Sequence, residues 1–189
     1  MRSGVLRGDA ADEKKDAVIC MERRIETERL ILRPLQPGDA RDVYEFAGDP
    51  RVNRFMPYAL YTGIEQAHRW IASQGEDSDE FAFQLKSTGK VIGTGSVGLE
   101  EKDGLYHLGY NLNYDYWGRG YATEAARAMI RWAYECKGAR DFSASRAVAN
   151  TASGRVLEKC GFRPDHSGQY SKFDGSETFD ALYYRLHLD

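Results

Sequence analysis

Two glycines and an arginine separate aromatic residues in segment 116–125, YWGRGYATEA, between a run typical of a strand and one typical of a helix. The first N–H groups of a helix have no partner within it, and with the positive end of the helix dipole they can bind an anion. Gly118 and Gly120 would let a phosphate approach the main chain without a Cβ in the way. The segment therefore predicts either a pyrophosphate cradle or a tight turn that needs glycine for its dihedral angles. It matches neither the GxGxxG dinucleotide fingerprint nor the Gly-Lys-Ser/Thr ending of a P-loop.

A second polar segment, 150–162 (NTASGRVLEKCGF), reads as a short capped helix. Asn150 is a good N-cap, and Gly161 would end the helix with Phe162 folded back on Leu157 in a Schellman motif. The polar residues of the first turn could still face a ligand, which makes this segment a candidate second half of the same site.

The elements around these motifs predict one α+β domain. Alternating apolar residues predict strands near 81–85, 91–99 and 105–112, and helical spacing predicts a long helix after the glycine segment. Residues 1–24 are charged and show no sustained period, so they are predicted to be a mobile tail before a domain spanning 25–189.

Three local features carry further expectations. Asp39 is a plausible N-cap for one helix, and Thr62 with Glu65 reads as a capping box for the next. The acidic run Glu76, Asp77, Asp79 and Glu80 before a strand is a candidate for an acidic cleft, although such a run is usually a solvated face.

The composition narrows the class of protein. The 189 residues include 26 Lys plus Arg against 29 Asp plus Glu, so the basic surplus typical of a nucleic-acid-binding protein is missing. The three cysteines form no CxxC pair, which argues against a zinc site or a disulfide framework, and no metal is expected. Apolar runs stay short of the ~18 residues of a membrane span, and no signal-peptide core is recognised. These features predict a cytoplasmic protein without a membrane partner.

The two motifs together resemble the GNAT superfamily of acetyl-CoA-dependent N-acetyltransferases, and within it the branch of ribosomal-protein N-terminal (alanine/serine) acetyltransferases. That branch shows a GY strand, WGKGYATEA and N-x-x-S-x-x-V-L-E-K-x-G-F in this order. This chain has LGYNL, WGRGYATEA and NTASGRVLEKCGF, and its TERLILRPL is similar to the branch's first strand. The likeness covers about residues 25–188. It implies a mixed, mostly antiparallel sheet of about six to seven strands flanked by helices, and it allows a homodimer.

The resemblance also implies how acetyl-CoA is bound. Backbone amides of the glycine segment would hold the pyrophosphate, the main chain of the GY strand would pair with the pantetheine, and Asn150 would contact the pantetheine from the opposite side. Trp117 stands where the superfamily pattern has glutamine or arginine. The implied cofactor-binding residues are Tyr110, Asn111, Leu112, Trp117, Gly118, Arg119, Gly120, Tyr121, Ala122, Thr123 and Asn150.

Two side chains are the candidates for proton transfer. Many relatives place a tyrosine acid in the short helix, but the equivalent position here is Leu157, so Ser153 is predicted to act as the acid or to position the thiol. His107 occupies a position where related sequences have glutamate, and a histidine can relay a proton near neutral pH. Alternatively, His107 has only a structural role on the strand, and Glu100, Glu101 or a water chain supplies the general base.

The amount of neutral amine narrows the acceptor. At pH 7 an α-amine of pKa about 7.8 is roughly 14% neutral, whereas a lysine near 10.4 is roughly 0.04% neutral. A site without an obvious glutamate base therefore favours the α-amine of a peptide or protein N-terminus. The alternatives are a small-molecule amine such as a polyamine or antibiotic, and a non-catalytic acyl-CoA-binding regulatory module. An acceptor site for polyamines or antibiotics would call for an acidic cleft, for which the acidic run from Glu76 to Glu80 is the candidate.

Overall fold

The computed structural model describes residues 23–75 and 78–189, and within them eight strands form one sheet in the order β1-β2-β3-β4-β5-β6-β8-β7. The strands are β1 (Ile25–Glu26), β2 (Leu30–Arg33), β3 (Glu80–Leu85), β4 (Val91–Glu100), β5 (Leu105–Leu112), β6 (Asp141–Ala147), β7 (Arg163–Ser171) and β8 (Thr178–His187). Neighbouring strands are antiparallel except β5 and β6, which are parallel. The α+β prediction is confirmed, and the two-residue β1 makes the sheet larger than expected.

Helices cover both faces of the sheet. They are α1 (Ala40–Ala47), α2 (Pro50–Asn53), α3 (Ile64–Ser73), α4 (Tyr121–Lys137) and α5 (Thr151–Lys159). Strand β3 separates the two layers, because successive side chains point to opposite faces. Phe81 and Phe83 belong to the core with α4 and α5, whereas Ala82 belongs to the core with α1 and α3.

Helix α4 is the crossover that joins the parallel strands β5 and β6. Its predicted apolar stripe is confirmed, since Ala125, Met129 and Ala133 are fully buried against the sheet. The helix ends where Gly138 adopts φ +68°, a left-handed conformation that favours glycine. The long helix therefore fixes the glycine segment at its own N-terminus.

Helix α5 has the predicted caps. The side chain of Asn150 accepts a hydrogen bond from the Ser153 N–H at 3.2 Å. At the other end Gly161 has φ +94°, and the Phe162 N–H donates to the Leu157 carbonyl at 3.1 Å, which is the Schellman bond. These caps hold the first turn of α5 in place beside the sheet.

Two cap predictions differ from the structure: Asp39 stands at the predicted N-cap position of α1 but does not cap it, and the capping box of Thr62 with Glu65 does not form. The Asp39 carboxylate instead binds the buried guanidinium of Arg33 at 2.8 Å. Helix α3 begins at Ile64, and the Gln66 carboxamide oxygen, rather than Glu65, accepts from the Thr62 N–H at 2.7 Å. The prediction of a tail over 1–24 lies almost wholly outside the described residues. No helix in the described ranges is long and apolar enough to cross a membrane.

Candidate active site

The parallel strands β5 and β6 pair only briefly and then separate. Their register consists of Tyr106 with Phe142 and His107 with Ser143. Beyond His107, β5 continues to Leu112 paired only to β4 among the described strands. The separation leaves a wedge between the second half of β5 and β6.

The wedge is bridged by two side chains. The Tyr110 phenol lies 2.9 Å from the Ser153 Oγ and donates to the Ser153 carbonyl at 3.2 Å. Burial raises the pKa of Tyr110, so the phenol is protonated at neutral pH. The structure thus brings Tyr110, Ser153 and Asn150 together. The sequence reasoning assigned only the main chain of Tyr110 to the site and missed its phenol.

The glycine segment leads from the end of β5 into α4. Gly118 has φ +74°, and Gly120, the residue that caps α4, has φ +84°. Both values lie in the left-handed region that favours glycine, as expected for a tight turn. A Cβ at Gly118 would meet no atom within 4 Å, so the space above it is open. Within residues 23–75 and 78–189, no side chain caps the first N–H groups of α4, which include those of Tyr121 to Thr123. The conformation is therefore compatible with the cradle as well as the turn.

Trp117 attaches this segment to the end of β5. Its indole N–H donates to the Leu112 carbonyl at 2.7 Å, and its ring packs on Tyr114 with 5.0 Å between centroids. Trp117 thus has a different role from a glutamine or arginine at this position, because its indole is used to contact the end of β5. It positions the segment relative to the strand that forms one side of the wedge.

Glu124 fixes the same segment from the other side, a role that the sequence reasoning missed. Its carboxylate accepts from Thr27 Oγ1 at 2.6 Å, from the Arg29 main-chain N–H at 2.8 Å and from Arg29 Nε at 2.7 Å. Although burial acts to raise it, hydrogen bonds from Thr27 and Arg29 hold the pKa of Glu124 below its usual range. Arg29 also donates to the Arg119 carbonyl at 2.9 Å. Two cations therefore lie at the glycine segment.

A cleft of about 910 Å³ opens on the α1 face of the sheet and contains Ser153, Tyr110 and Asn150 as well as His107. Its floor is formed by the strands, one wall by α1 and the loop 54–61, and the other by the hairpin of β7 and β8. Aromatic side chains line these walls, among them Phe55, Tyr58, Tyr61, Trp70, Tyr170 and Tyr183. The predicted catalytic residues thus share one largely aromatic cavity.

The tip of the β7–β8 hairpin is hydrogen-bonded to the opposite wall of this cleft. Tyr170 donates its phenol proton to the Phe55 carbonyl at 2.7 Å, and the Phe173 N–H donates to the Pro57 carbonyl at 2.8 Å. Lys172 Nζ adds a bond to the Asn53 side-chain oxygen at 3.0 Å. These contacts join residues more than 110 positions apart, so no local pattern in the sequence could predict them.

His107 lies on the floor of the cleft. Its Nδ1 is 3.2 Å from Ser143 Oγ and 3.8 Å from the Glu100 carboxylate. Burial lowers the pKa of His107 despite the opposing charges of Glu100 and Asp103, so the imidazole is neutral at pH 7. The ring is available as a base, but its hydrogen bond to Ser143 equally supports a structural role.

Glu80 corrects the interpretation of the acidic run. Glu76 and Asp77 lie outside the described residues, and Asp79 pairs with Lys137 at 3.2 Å. Glu80, in contrast, lines the cleft, and burial raises its pKa to about 7 against the lowering effect of the Thr94 and Ser96 hydroxyls. The cleft therefore contains a buried glutamate that the sequence reasoning did not place in the site.

Known proteins resemble this chain over most of its length. Residues 29–163 match the family described as "Acetyltransferase (GNAT) domain". The chain is 27% identical over 163 residues to the uncharacterized N-acetyltransferase YnaD of Bacillus subtilis, covering 86% of this chain and 95% of that one. A GNAT-family acetyltransferase from Bacillus anthracis superposes with a TM-score of 0.76 at 25% identity, over 87% of this chain and 98% of that structure. The microcin C7 self-immunity acetyltransferase MccE, solved with acetyl-CoA and AMP, superposes with a TM-score of 0.73 at 17% identity, over 86% and 94%.

Proposed function

Because the chain belongs to the GNAT family of acetyltransferases and is an N-acetyltransferase with acetyl-CoA as the donor, we propose that its acceptor is the α-amine of a peptide or protein N-terminus. The observation that carries this proposal is the cleft itself. One cavity contains the wedge residues and is walled by aromatic side chains and a hairpin.

The donor would occupy the wedge between β5 and β6. We assign the pyrophosphate to the main-chain amides from Gly118 to Thr123, where the glycine conformation and the open space leave room for phosphate oxygens. Arg119 adds positive charge at this point, whereas the charge of Arg29 is balanced by Glu124. The pantetheine would lie along Tyr110 to Leu112, with Asn150 on the opposite side of the wedge.

Acetyl transfer needs a neutral amine close to the thioester, a donor for the developing oxyanion and an acid for the departing thiolate. We assign the oxyanion to a main-chain amide near Leu112. The proton for the thiolate would come from the Ser153 hydroxyl, which is supported by the Tyr110 phenol at 2.9 Å. In this arrangement Leu157 packs in the core and takes no part in the chemistry.

The shape of the cleft supports a slender acceptor. The hairpin contacts to Phe55 and Pro57 join the two walls of the cavity and limit its width, which disfavours a lysine presented by a folded surface. An extended N-terminus needs less width. The aromatic walls suit the first side chains of a peptide.

The proposal is tested by measuring thiol release from acetyl-CoA with a panel of amines. We expect turnover of peptides with a free α-amine, and little turnover of Nα-acetylated lysine peptides, spermidine or an aminoglycoside. Turnover of polyamines without turnover of peptides would contradict the proposal and favour a small-molecule acceptor. Calorimetric binding of acetyl-CoA without turnover of any amine would instead favour a regulatory acyl-CoA-binding module.

A further inference from the structure

Glu80 is the first residue of β3 and lies in the same row of the sheet as the wedge. It pairs with Ser96 of β4, which pairs with Gly109 of β5. Residues directly opposite each other share a face, so the Glu80 side chain and the Ser96 hydroxyl point into the cleft above Gly109. Because Gly109 has no side chain, nothing on β5 separates this row from the point where β5 and β6 part.

The surroundings of Glu80 connect it to the predicted pantetheine strand. Its charge acts on the phenols of Tyr58 and Tyr61, whose pKa values are raised mainly by burial. The Tyr58 oxygen accepts from Asn111 Nδ2 at 3.1 Å, and Asn111 Oδ1 accepts from the Thr94 N–H at 3.2 Å. The Thr94 hydroxyl, which hydrogen-bonds the Glu80 carboxylate, lies 3.4 Å from Asn111 Oδ1, so a polar network runs from the carboxylate to β5.

The cleft supplies no cation to Glu80 among the described residues. Arg146 donates to the Tyr184 phenol at 3.1 Å and to the Val148 carbonyl at 2.8 Å, and Arg185 donates to Asp165 at 3.2 Å. A carboxylate that lines an aromatic cavity without a resident cation is complementary to an ammonium group, which aromatic faces also attract.

We propose that Glu80 is the general base that removes a proton from the acceptor ammonium, an assignment that rests on the proposed acetylation of α-amines. The ammonium gives one proton to the carboxylate, and the neutral nitrogen attacks the thioester carbonyl carbon. The C–N bond forms and the C–S bond breaks. The nitrogen loses its second proton as the amide forms, and this proton replaces the one given to sulfur by the Ser153–Tyr110 pair. Glu80 returns its proton to solvent.

The acidity of Glu80 matches α-amines and explains a preference for them. Proton transfer from an α-amine of pKa about 7.8 to a base of pKa about 7 is unfavourable by roughly 6-fold, but transfer from a lysine near 10.4 is unfavourable by roughly 2,500-fold. A base poised near the working pH is also the most effective for proton transfer. The preference for an α-amine thus follows from the acidity of Glu80, and not from the lack of a glutamate base that the sequence analysis assumed.

The test compares pH profiles of kcat under saturating acetyl-CoA and a peptide with a free α-amine. For the wild type, kcat should rise with pH along a limb with an apparent pKa near 7, since the carboxylate must be ionised to act. In Glu80→Gln kcat should fall about 100- to 1,000-fold, and the limb should move up to the pKa of the amine itself, about 7.8, since only the neutral amine can then attack. Acetyl-CoA affinity should change less than about threefold, because the isosteric amide keeps the fold.

Other titratable groups face the same cleft: Tyr58, Tyr61, Glu100, Asp103, His107, Tyr110, His166, Tyr170, Tyr183 and Tyr184, with the permanent charges of Arg146 and Arg185. His166→Gln is the matched control and should retain the limb. Ser96→Ala is the second variant, because losing a hydroxyl that lowers the Glu80 pKa should move the limb to higher pH. Glu80→Asp should retain the limb with an intermediate kcat.

Three results would overturn the assignment. One is a Glu80→Gln variant with the wild-type limb and a kcat within about threefold of normal. Another is an increase in the amine KM alone, since the carboxylate would then bind the ammonium without taking its proton. The third is an upward shift of the limb in His107→Gln but not in Glu80→Gln, which would make His107 the base. If the wild type releases no thiol with any α-amine, the proposed function and the role of Glu80 both fail.

Discussion

Substituting Gly118 tests whether the glycine segment binds the pyrophosphate. A Cβ at this position would project into space that holds no atom within 4 Å, whereas a Cβ at Gly120 would lie 3.4 Å from Arg29 Nη2 and a carboxylate there could pair with that cation. Gly118→Asp and Gly118→Asn are therefore the matched pair. Both side chains tolerate the left-handed conformation at φ +74°, and the two variants differ only in charge.

The size of the effect follows from Coulomb's law. A carboxylate about 5 Å from a phosphate charge costs about 3 kcal/mol at an effective dielectric of 20 and about 1 kcal/mol in bulk water. Since the segment is exposed, the cost should fall between these limits. Gly118→Asp should therefore bind acetyl-CoA about 5- to 150-fold more weakly than Gly118→Asn.

Isothermal titration calorimetry at low and high salt measures this difference. The difference in acetyl-CoA affinity between the two variants should decrease at high salt, because salt screens the repulsion between the introduced carboxylate and the pyrophosphate. Thermal melting followed by circular dichroism checks that both variants fold alike. Equal acetyl-CoA affinities for two folded variants would refute the cradle and leave the turn as the function of this glycine.

Two further predictions concern the wedge and the attachment of α4. Ser153→Ala should lower kcat about a hundredfold with little change in the KM for acetyl-CoA, because it removes the hydroxyl that protonates the thiolate, and Tyr110→Phe should lower kcat about tenfold, because the phenol supports that hydroxyl. The double variant should be no worse than Ser153→Ala, and additive losses in steady-state assays would contradict a shared role. Glu124→Gln should lower the free energy of unfolding by about 1–2 kcal/mol in urea titrations, since its carboxylate holds Thr27 and Arg29. Folding lowers the pKa of Glu124. The difference in the free energy of unfolding between Glu124→Gln and the wild type should therefore be fully present above the pKa of glutamate in the unfolded chain, about 4.3, and should vanish as the pH falls through the pKa in the folded protein. A loss that is independent of pH would argue against the ionic contacts.

Features set by local backbone conformation were predictable from the sequence. Gly118, Gly120 and Gly161 all adopt positive φ, and Asn150 caps α5, because glycine and asparagine have few competitors at such positions. The residue that caps α3 was harder to predict from the sequence. Glu65 and Gln66 both lie within reach of the helix start, and the propensity rules do not decide between neighbouring side chains.

Features that depend on distant packing were not predictable. In β3, a polar residue among apolar ones normally indicates a solvent face, but both faces of this strand are covered. Glu80 lines a cleft whose two walls are the loop 54–61 and the β7–β8 hairpin. These walls are joined by the hydrogen bond between Tyr170 and Phe55, which are 115 positions apart. The contact of Tyr110 with Ser153 likewise spans 43 positions. Alternation along one strand carries no information about such partners.

The central claim is that the acetyl group is transferred to an α-amine in the aromatic cleft. A single peptide with a free N-terminal α-amine and an internal lysine tests it directly, with tandem mass spectrometry locating the acetyl group after one enzyme-dependent addition. We expect acetylation at the α-nitrogen, with the rate reduced about 100- to 1,000-fold in Glu80→Gln. Acetylation at the lysine ε-nitrogen by the wild type would contradict it.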